Sequence, residues 1–344
     1  MKLGIIGLTQ SGKSTVFEAL TKSTSDMTHK GENRISTIRV PDSRIDILSG
    51  MYRPQKTIYA QVEYFLPGTG GANKNQAKEQ SIWTATRECD ALIHVIRNHT
   101  SAGLEKKTPY EDFRNIEQEL ILADLVVVEK RLERIELDHK RGKKAAPREQ
   151  TLLIECLKNL ENEIPLRRVT ALASARELRG FTLLSAKPML VLFNNDEENN
   201  SLPEVNSLTD LESCLVIRGK LEQELAQMST EEAAEFLNEF NIGDSAMNRV
   251  IRESYNILGL ISFFTVGKDE VRAWTIKTGT QAVDAAEVIH SDIKKGFIRA
   301  EVLSYDDLME AGTYADARKK GTVRLEGKTY EVKDGDLINF RFNV

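Results

Sequence analysis

The sequence predicts an α/β protein: a doubly wound, mostly parallel sheet, interrupted by a helical hairpin and followed by a small β-grasp unit of the ubiquitin type. Three observations lead there. An apolar stretch at the start of the chain runs into a glycine-bounded turn, Gly7 to Ser14, and then into a helical pattern, the strand, loop and helix that open such a sheet. Continuous apolar runs at Ala91–Ile96 and Lys187–Phe193 read as strands covered on both faces. Between those runs apolar residues recur at spacings of four and three, and beyond Gly259 the chain turns to short strands separated by turn residues.

With 344 residues, 40% hydrophobic and 29% charged, the chain has the length for two or three compact units and the balance of an ordinary soluble protein. Its net charge of -5 does not mark a nucleic-acid binder overall, so any such contact must rest on local patches. The three cysteines, Cys89, Cys156 and Cys214, form no Cys-x-x-Cys pair and read as buried thiols of a reducing compartment. No stretch is long enough to span a membrane, and Met1 to Leu8 is too brief and glycine-broken for a signal peptide, so the expected location is cytoplasmic.

The opening turn is Gly7-x-x-x-x-Gly12-Lys13-Ser14, a phosphate-binding loop. Its glycines let the backbone of Gly7, Thr9, Gln10, Ser11 and Gly12 curl so that successive N–H groups face a phosphate, and the following helix adds its positive end, through Thr15. Lys13 is placed to reach the β- and γ-phosphates and the Ser14 hydroxyl to ligate Mg²⁺; these two are the candidate catalytic residues, with no base assignable. The helix Ser14–Thr21 offers Val16, Phe17 and Leu20 to the first strand. Thr37 is a candidate second metal ligand, and reads equally as a threonine favoured in a strand. The strand expected over Thr57–Leu66 ends in Leu66-Pro67-Gly68, where a metal-supporting aspartate would stand; Glu63 lies three residues too early. The glycine-rich segment 68–73 reads as a switch over the γ-phosphate or as a plain loop, Asn75–Cys89 as a helix, and His94 as a core histidine within its strand.

From Tyr110 the spacing of Ile116, Leu120, Ala123 and Val127, repeated by Leu153, Leu157, Leu160 and Ile164, predicts two long helices in an antiparallel hairpin. Its tip, 139–148, is rich in lysine and arginine and is the candidate RNA contact, against the usual fate of a charge run as a solvated turn. The strand Lys187–Phe193 closes with Asn194-Asn195-Asp196-Glu197, and a short strand Leu215–Ile217 runs into Arg218-Gly219-Lys220. Ligands of open α/β sheets bind at the carboxyl ends of the strands, which puts both loops on the same crevice as Gly7 to Ser14. Helices Thr230–Phe240 and Ala246–Leu258 end the sheet domain. In the remainder, strands at Ile261–Val266, Val271–Ile276, Thr322–Leu325, Thr329–Val332 and Leu337–Phe342 surround a helix Gln281–His290. There Lys294, Lys295, Arg299, Arg318, Lys319 and Lys320 are a candidate basic patch.

Taken with Arg249-Val-Ile-Arg252, Glu270-Val-Arg-Ala-Trp-Thr-Ile276, Ile289-His-Ser-Asp-Ile-Lys-Lys-Gly-Phe-Ile-Arg-Ala-Glu301 and the ending Lys333-Asp-Gly-Asp to Val344, the chain resembles the YchF / Obg-like ATPase family. Asp42-x-Arg44 and Glu119-Leu-Ile-Leu-Ala-Asp-Leu125 extend the likeness over nearly the whole length. The resemblance implies a P-loop NTPase domain in two parts, 1–109 and 179–259, a coiled-coil insertion over 110–178, and a TGS domain over 260–344. It also implies ATP in preference to GTP, and the ribosome or a ribosomal subunit as partner, with RNA touched by the tip and the TGS domain.

Guanine-specific relatives read the base with Asn-Lys-x-Asp; here the lysine is gone and a longer acid replaces the aspartate, which disfavours the guanine clamp. The resemblance sets Asn194 and Glu197 on the family's Asn-x-x-Glu, with Asn195 beside the base and Arg218, Gly219 and Lys220 closing the pocket; Asn195 to Glu198 repeats the pattern one residue along. Three departures stand out. Gln10 replaces the family's usual asparagine, the Asp-x-x-Gly segment is missing at Leu66 to Thr69, and the segment after Thr37 is short. The expected activity is therefore ATP binding with slow hydrolysis in a ribosome-associated factor. The alternatives are a non-hydrolysing nucleotide sensor and RNA adaptor, or a GTPase.

Overall fold

Leu3, Ile5 and Ile6 are buried because their strand lies inside a six-stranded sheet. Its order is β2 (Arg34–Arg39), β4 (Gln61–Leu66), β1 (Lys2–Ile6), β5 (Ala91–Asn98), β6 (Met189–Asn195) and β7 (Ser213–Ile217). Pairing is parallel from β4 to β7, so the carboxyl ends of these strands come out along one edge. The computed structural model describes residues 1–343 except 24–30, 69–81, 101–105, 143–146 and 240–244, and only the backbone of residues 230 and 234. The chain divides into two units, Met1–Thr37 with Glu63–Val250, and Ile38–Val62 with Ile251–Val344.

In the first unit α1 (Lys13–Thr21) leaves the loop after β1 and buries Val16, Phe17 and Leu20, as its pattern requires. Of the helix expected over Asn75–Cys89, residues 75–81 lie outside the described residues and α3 covers 82–86. The hairpin is α4 (Pro109–Lys140) and α5 (Pro147–Glu161), α4 starting with proline at its first turn followed by Glu111 and Asp112, and ending on His139 and Lys140. On α4, Ile121, Val128 and Ile135 pack with Leu153, Cys156 and Leu160 of α5, while Ile116 and Leu120 belong to the core of the sheet with Met189 and Phe193. Ala123 and Val127 are only half-buried. The residue breaking the apolar pattern, Asp124, is fully buried and accepts from the backbone N–H of Leu184 (2.9 Å) and Ser185 (2.7 Å) and from Arg87 (3.1 Å). Single turns α6 (Thr170–Ala173) and α7 (Leu208–Leu211) flank β6, and α8 (Gly219–Gln227) and α9 (Thr230–Glu239) follow β7. Residues 143–146 of the basic tip, and 69–73 of the glycine-rich segment, lie outside the described residues.

The second unit is built on α10 (Ala246–Ile257, from Ile251 onward) and another six-stranded sheet. Its order is β11 (Arg324–Glu326), β10 (Phe297–Ser304), β12 (Asp336–Phe342), β8 (Leu260–Val266), β9 (Glu270–Lys277) and β3 (Lys56–Ile58). Helix α11 (Ala282–Ile289) lays Ala282, Ala285 and Ala286, all fully buried, against Phe263, Ile276 and Phe340. Beyond α12 (Ser291–Lys295) and β10 come α13 (Tyr305–Ala311) and α14 (Tyr314–Lys320), each started by a hydroxyl cap, Ser304 or Thr313, accepting from an N–H three residues on.

Four expectations change. The single strand read over Thr57–Leu66 is two, because β3 pairs with β9 while β4 pairs with β1 in the other sheet; the loose alternation of that stretch reflects a change of sheet between them. Residues 38–62, read as part of the nucleotide domain, pack with the C-terminal strands through β3 and α2 (Ser43–Tyr52). Arg44 of α2 forks onto Asp42 (2.8 Å) and Asp334 (2.6 Å), which joins the Asp42-x-Arg44 motif to the chain's ending. Strand β10 escaped the pattern because Glu301 sits in it, buried, its carboxylate taken by Arg318 and Arg341. The stretch 329–332 forms only a bridge, Gln281 to Glu331.

Candidate functional site

At the carboxyl edge of the first sheet a crevice of about 1080 Å³ opens beside the Gly7–Ser14 loop. Gly7 and Gly12 have φ of 145° and 99°, and both are confined. A Cβ at Gly7 would stand 2.3 Å from the Val95 carbonyl, and one at Gly12 2.2 Å from the Asn194 amide nitrogen. Gln10 also has a left-handed φ, 64°, a conformation asparagine adopts more readily than glutamine, so this residue holds the loop's shape at some cost. Thr9, Gln10, Gly12, Lys13, Ser14 and Thr15 line the crevice, and Ser14 is exposed to it.

The Lys13 ammonium donates to the carbonyls of Gly7 (2.7 Å) and Leu8 (2.5 Å), which folds it over the loop; burial pulls its pKa down to about 8. Behind the loop Asn194 is the tie. Its amide donates to the Ser11 carbonyl (3.1 Å) and accepts from the Gly219 N–H (2.9 Å), joining the loop after β1 to the turn after β7. Gly219 is confined by the same side chain, 2.7 Å from where a Cβ would lie. Asn195 is buried and shapes its own loop, donating to the carbonyls of Asn199 (3.1 Å) and Ser201 (2.8 Å) and accepting from Asn98 (2.8 Å). At the mouth Glu197 pairs with Lys220 at 2.8 Å, both exposed, and Arg218 reaches the Glu197 carbonyl at 3.5 Å.

Other lining residues were not singled out in the sequence. His99 and Thr100 follow β5, and Thr100 is bonded through its N–H and hydroxyl to Asp196 (2.8 and 2.9 Å), which Lys107 also reaches at 3.3 Å; these bonds hold the Asp196 carboxyl below its ordinary pKa. The signal was the end of β5, since the carboxyl-edge rule covers that strand as well as β6 and β7. Gln223, one turn into α8, also lines the crevice and donates to the buried Glu18 (2.6 Å), which accepts from Arg34 (3.1 Å) as well.

Thr37 is not among the crevice-lining residues; it lies exposed on the edge strand β2. Glu63 lies level with Lys2, at the far end of β1 from Gly7, and so offers the metal nothing; Leu66, buried, stands nearer the loop. No group of three or more metal-ligating side chains exists among the described residues. A Mg²⁺ ion, which keeps its waters and takes one or two protein oxygens plus phosphate, needs no such group, and the Ser14 hydroxyl is exposed to the crevice. His94 is fully buried, stacked on Phe113 at 5.7 Å, and burial takes its pKa down to about 3, as a core residue. Burial pushes the thiols of Cys89, Cys156 and Cys214 up to between about 11 and about 12, which disfavours the nucleophilic thiolate. No helix among the described residues is long and apolar enough to cross a membrane.

Most of the expected basic patch of the second unit is neutralised. Lys294 pairs with Asp284 and Glu287, Lys295 with Asp292, Lys319 with Asp316 and Lys320 with Glu310, while Arg318 holds Glu301.

Comparison with known proteins agrees with this geometry. A family model described as a 50S ribosome-binding GTPase matches residues 2–131, and the C-terminal model of YchF-type GTPases, described as a protein of unknown function, matches residues 260–343. The ribosome-binding ATPase YchF of Bacillus subtilis (strain 168) is 36% identical over 361 residues, covering 99% of either chain. Its Escherichia coli O157:H7 counterpart is 36% identical over 360 residues, 100% of this chain and 99% of that one. The solved YchF GTPase of Schizosaccharomyces pombe superposes with a TM-score of 0.83 at 28% identity, over 99% of this chain and 97% of that one.

Proposed function

The chain belongs to the YchF family, and from that premise we propose that it is a cytoplasmic, Mg²⁺-dependent ATP-binding protein that hydrolyses ATP slowly and uses its nucleotide state to set its hold on a ribosomal particle. The observation that carries the binding half is the intact phosphate loop, with Lys13 folded over it and its two glycines confined by Val95 and Asn194. In this reading the loop amides and Lys13 hold the phosphates, and Ser14 holds Mg²⁺, which offsets charge on the β- and γ-phosphate oxygens when bound. Glu197 and Lys220 form the base side of the mouth, and Asn194 positions loop and turn from behind. The relatives' names divide between ATPase and GTPase; the loss of the guanine-reading lysine at Asn195 and the longer acid at Glu197 favour adenine. The domain bounds 1–109, 110–178, 179–259 and 260–344 belong to the same proposal, amended by the placement of 38–62.

A second reading has its own observation. No carboxylate stands at the end of β4, where Leu66 is buried, so nothing there steadies the metal for water attack. On that account the protein binds ATP and reports it without turnover. Single-turnover phosphate release with Mg²⁺-ATP separates the two: a rate above that of Lys13→Ala supports the enzyme, and equal rates support the sensor. Calorimetry in which GTP binds more tightly than ATP would overturn the base assignment in both.

A further inference from the structure

Helices α1 and α8 pack side by side, and both begin at the crevice, which Ser14 and Thr15 of α1 and Lys220 of α8 line from their first turns. A polar contact fills the seam between them. Gln223, one turn beyond Lys220 and on the same face of α8, lines the crevice as well and donates from its Nε2 to Glu18 Oε2 (2.6 Å), one turn beyond Thr15. Glu18 is 5% exposed, and its other oxygen accepts from Arg34 (3.1 Å), whose guanidinium lies over the Phe17 ring at 4.6 Å.

These bonds decide which end of the Gln223 amide a ligand meets. A carboxylate paired with arginine only accepts, so the amide nitrogen is the end that faces Glu18, and the oxygen is the end left over. Among the described residues that oxygen meets no donor, and Gln223 is half-buried, so the seam offers the crevice a fixed acceptor. On the nucleotide reading given above, phosphates lie on the loop beside Thr15 and the base lies between Glu197 and Lys220. The sugar then crosses the seam that Gln223 fills. A phosphate brings no donor to an acceptor there, whereas a ribose hydroxyl does.

We propose that Gln223 is a specificity-determining residue that accepts a hydrogen bond from a ribose hydroxyl and so favours ribonucleotides over deoxyribonucleotides, with Glu18 as the positioning residue that orients its amide. The proposal rests on the nucleotide reading of the crevice, but not on which purine is bound. Calorimetry on the full chain with Mg²⁺ compares ATP with 2′-deoxy-ATP and 3′-deoxy-ATP, and GTP with its own two deoxy analogues. One hydrogen bond is worth a several-fold change, so the preferred ribonucleotide should bind about fivefold more tightly than one of its analogues. Gln223→Leu should weaken the ribonucleotide by about the same factor and leave that analogue at its wild-type affinity, which also shows the variant to be folded. Glu18→Gln, whose amide can donate and let Gln223 turn, should lower the ribose preference, whereas a merely structural role would weaken all the nucleotides equally. Equal binding of the ribonucleotide and both analogues by the wild type, or a preference that survives in Gln223→Leu, would overturn the proposal and leave nucleotide binding standing. A tighter grip on GTP would overturn the base assignment alone, and failure of every nucleotide to bind would overturn the reading beneath both.

Discussion

At the scale of single residues, Lys13 sets how the protein meets phosphate. Its folded pKa of about 8 lies below the free value of 10.5, so the buried ammonium costs stability at neutral pH. That cost is relieved as pH rises from about 8 toward 10.5, where the unfolded chain holds the proton and the folded one does not. Phosphate works in the opposite sense, because only the protonated amine attracts it. Nucleotide affinity, measured by calorimetry, should therefore fall between pH 7 and pH 9, by about tenfold at the upper end. Lys13→Ala should bind weakly with a flatter profile, and a wild-type curve without slope would remove Lys13 from the phosphate site. The loop was legible because its chemistry lies in contiguous residues. Asn194 was legible only as a pocket residue: its partners are Ser11 and Gly219, 183 and 25 positions away, and no local pattern announces a tie of that reach.

Among the elements, the hairpin owes its footing to ions as well as to leucines. Arg167 and Arg168, in the turn after α5, share Glu117 of α4 and Glu212 before β7, at 2.5 to 3.2 Å. Arg167, Glu117 and Glu212 are each at most 7% exposed, so removing one partner strands a charge. Arg167→Met should cost about 3–5 kcal/mol in urea unfolding, and replacing Glu117 and Glu212 by apolar residues in the same chain should restore most of it. A loss below about 1 kcal/mol would mean that water already reaches the cluster. None of this was visible beforehand, since a 3.6-residue period shows which face is apolar and not which charges lie beneath it. At the far end of α4, Lys140 and Arg141 are exposed. Reversing them with Lys143 and Lys144 should weaken ribosome co-sedimentation, and raising salt should narrow the gap from the wild type. Unchanged pelleting would discard the tip as a contact, leaving a second unit whose cations are largely spent on carboxylates.

For the whole molecule, what matters is that the chain visits its second unit twice. Periodicity and turn signals identified most strands of the two sheets, β10 excepted, but a strand's neighbours are set by tertiary pairing, so nothing local assigned β3 to β9 or α2 to the C-terminal fold. The consequence is a dependence between distant stretches. Ile45 and Leu48 of α2 are fully buried, β3 takes its ladder from Lys56–Glu270 to Ile58–Arg272, and Arg44 is held by Asp334. A chain ending at Leu258 keeps the phosphate loop and its sheet but loses β8, β9 and Asp334, the partners of 38–62 in this unit. Exposing Ile45 and Leu48 alone forfeits about 1.5–3 kcal/mol for each side chain, more than a short helix and a three-residue strand recover by themselves. Limited trypsin digestion followed by mass spectrometry should cut the truncated chain first at Arg44 and Lys56, whose backbone is held in α2 and β3 in the full chain. Equal protection in both would show that 38–62 folds without the C-terminal strands, and that its ladder with β9 is incidental to its stability.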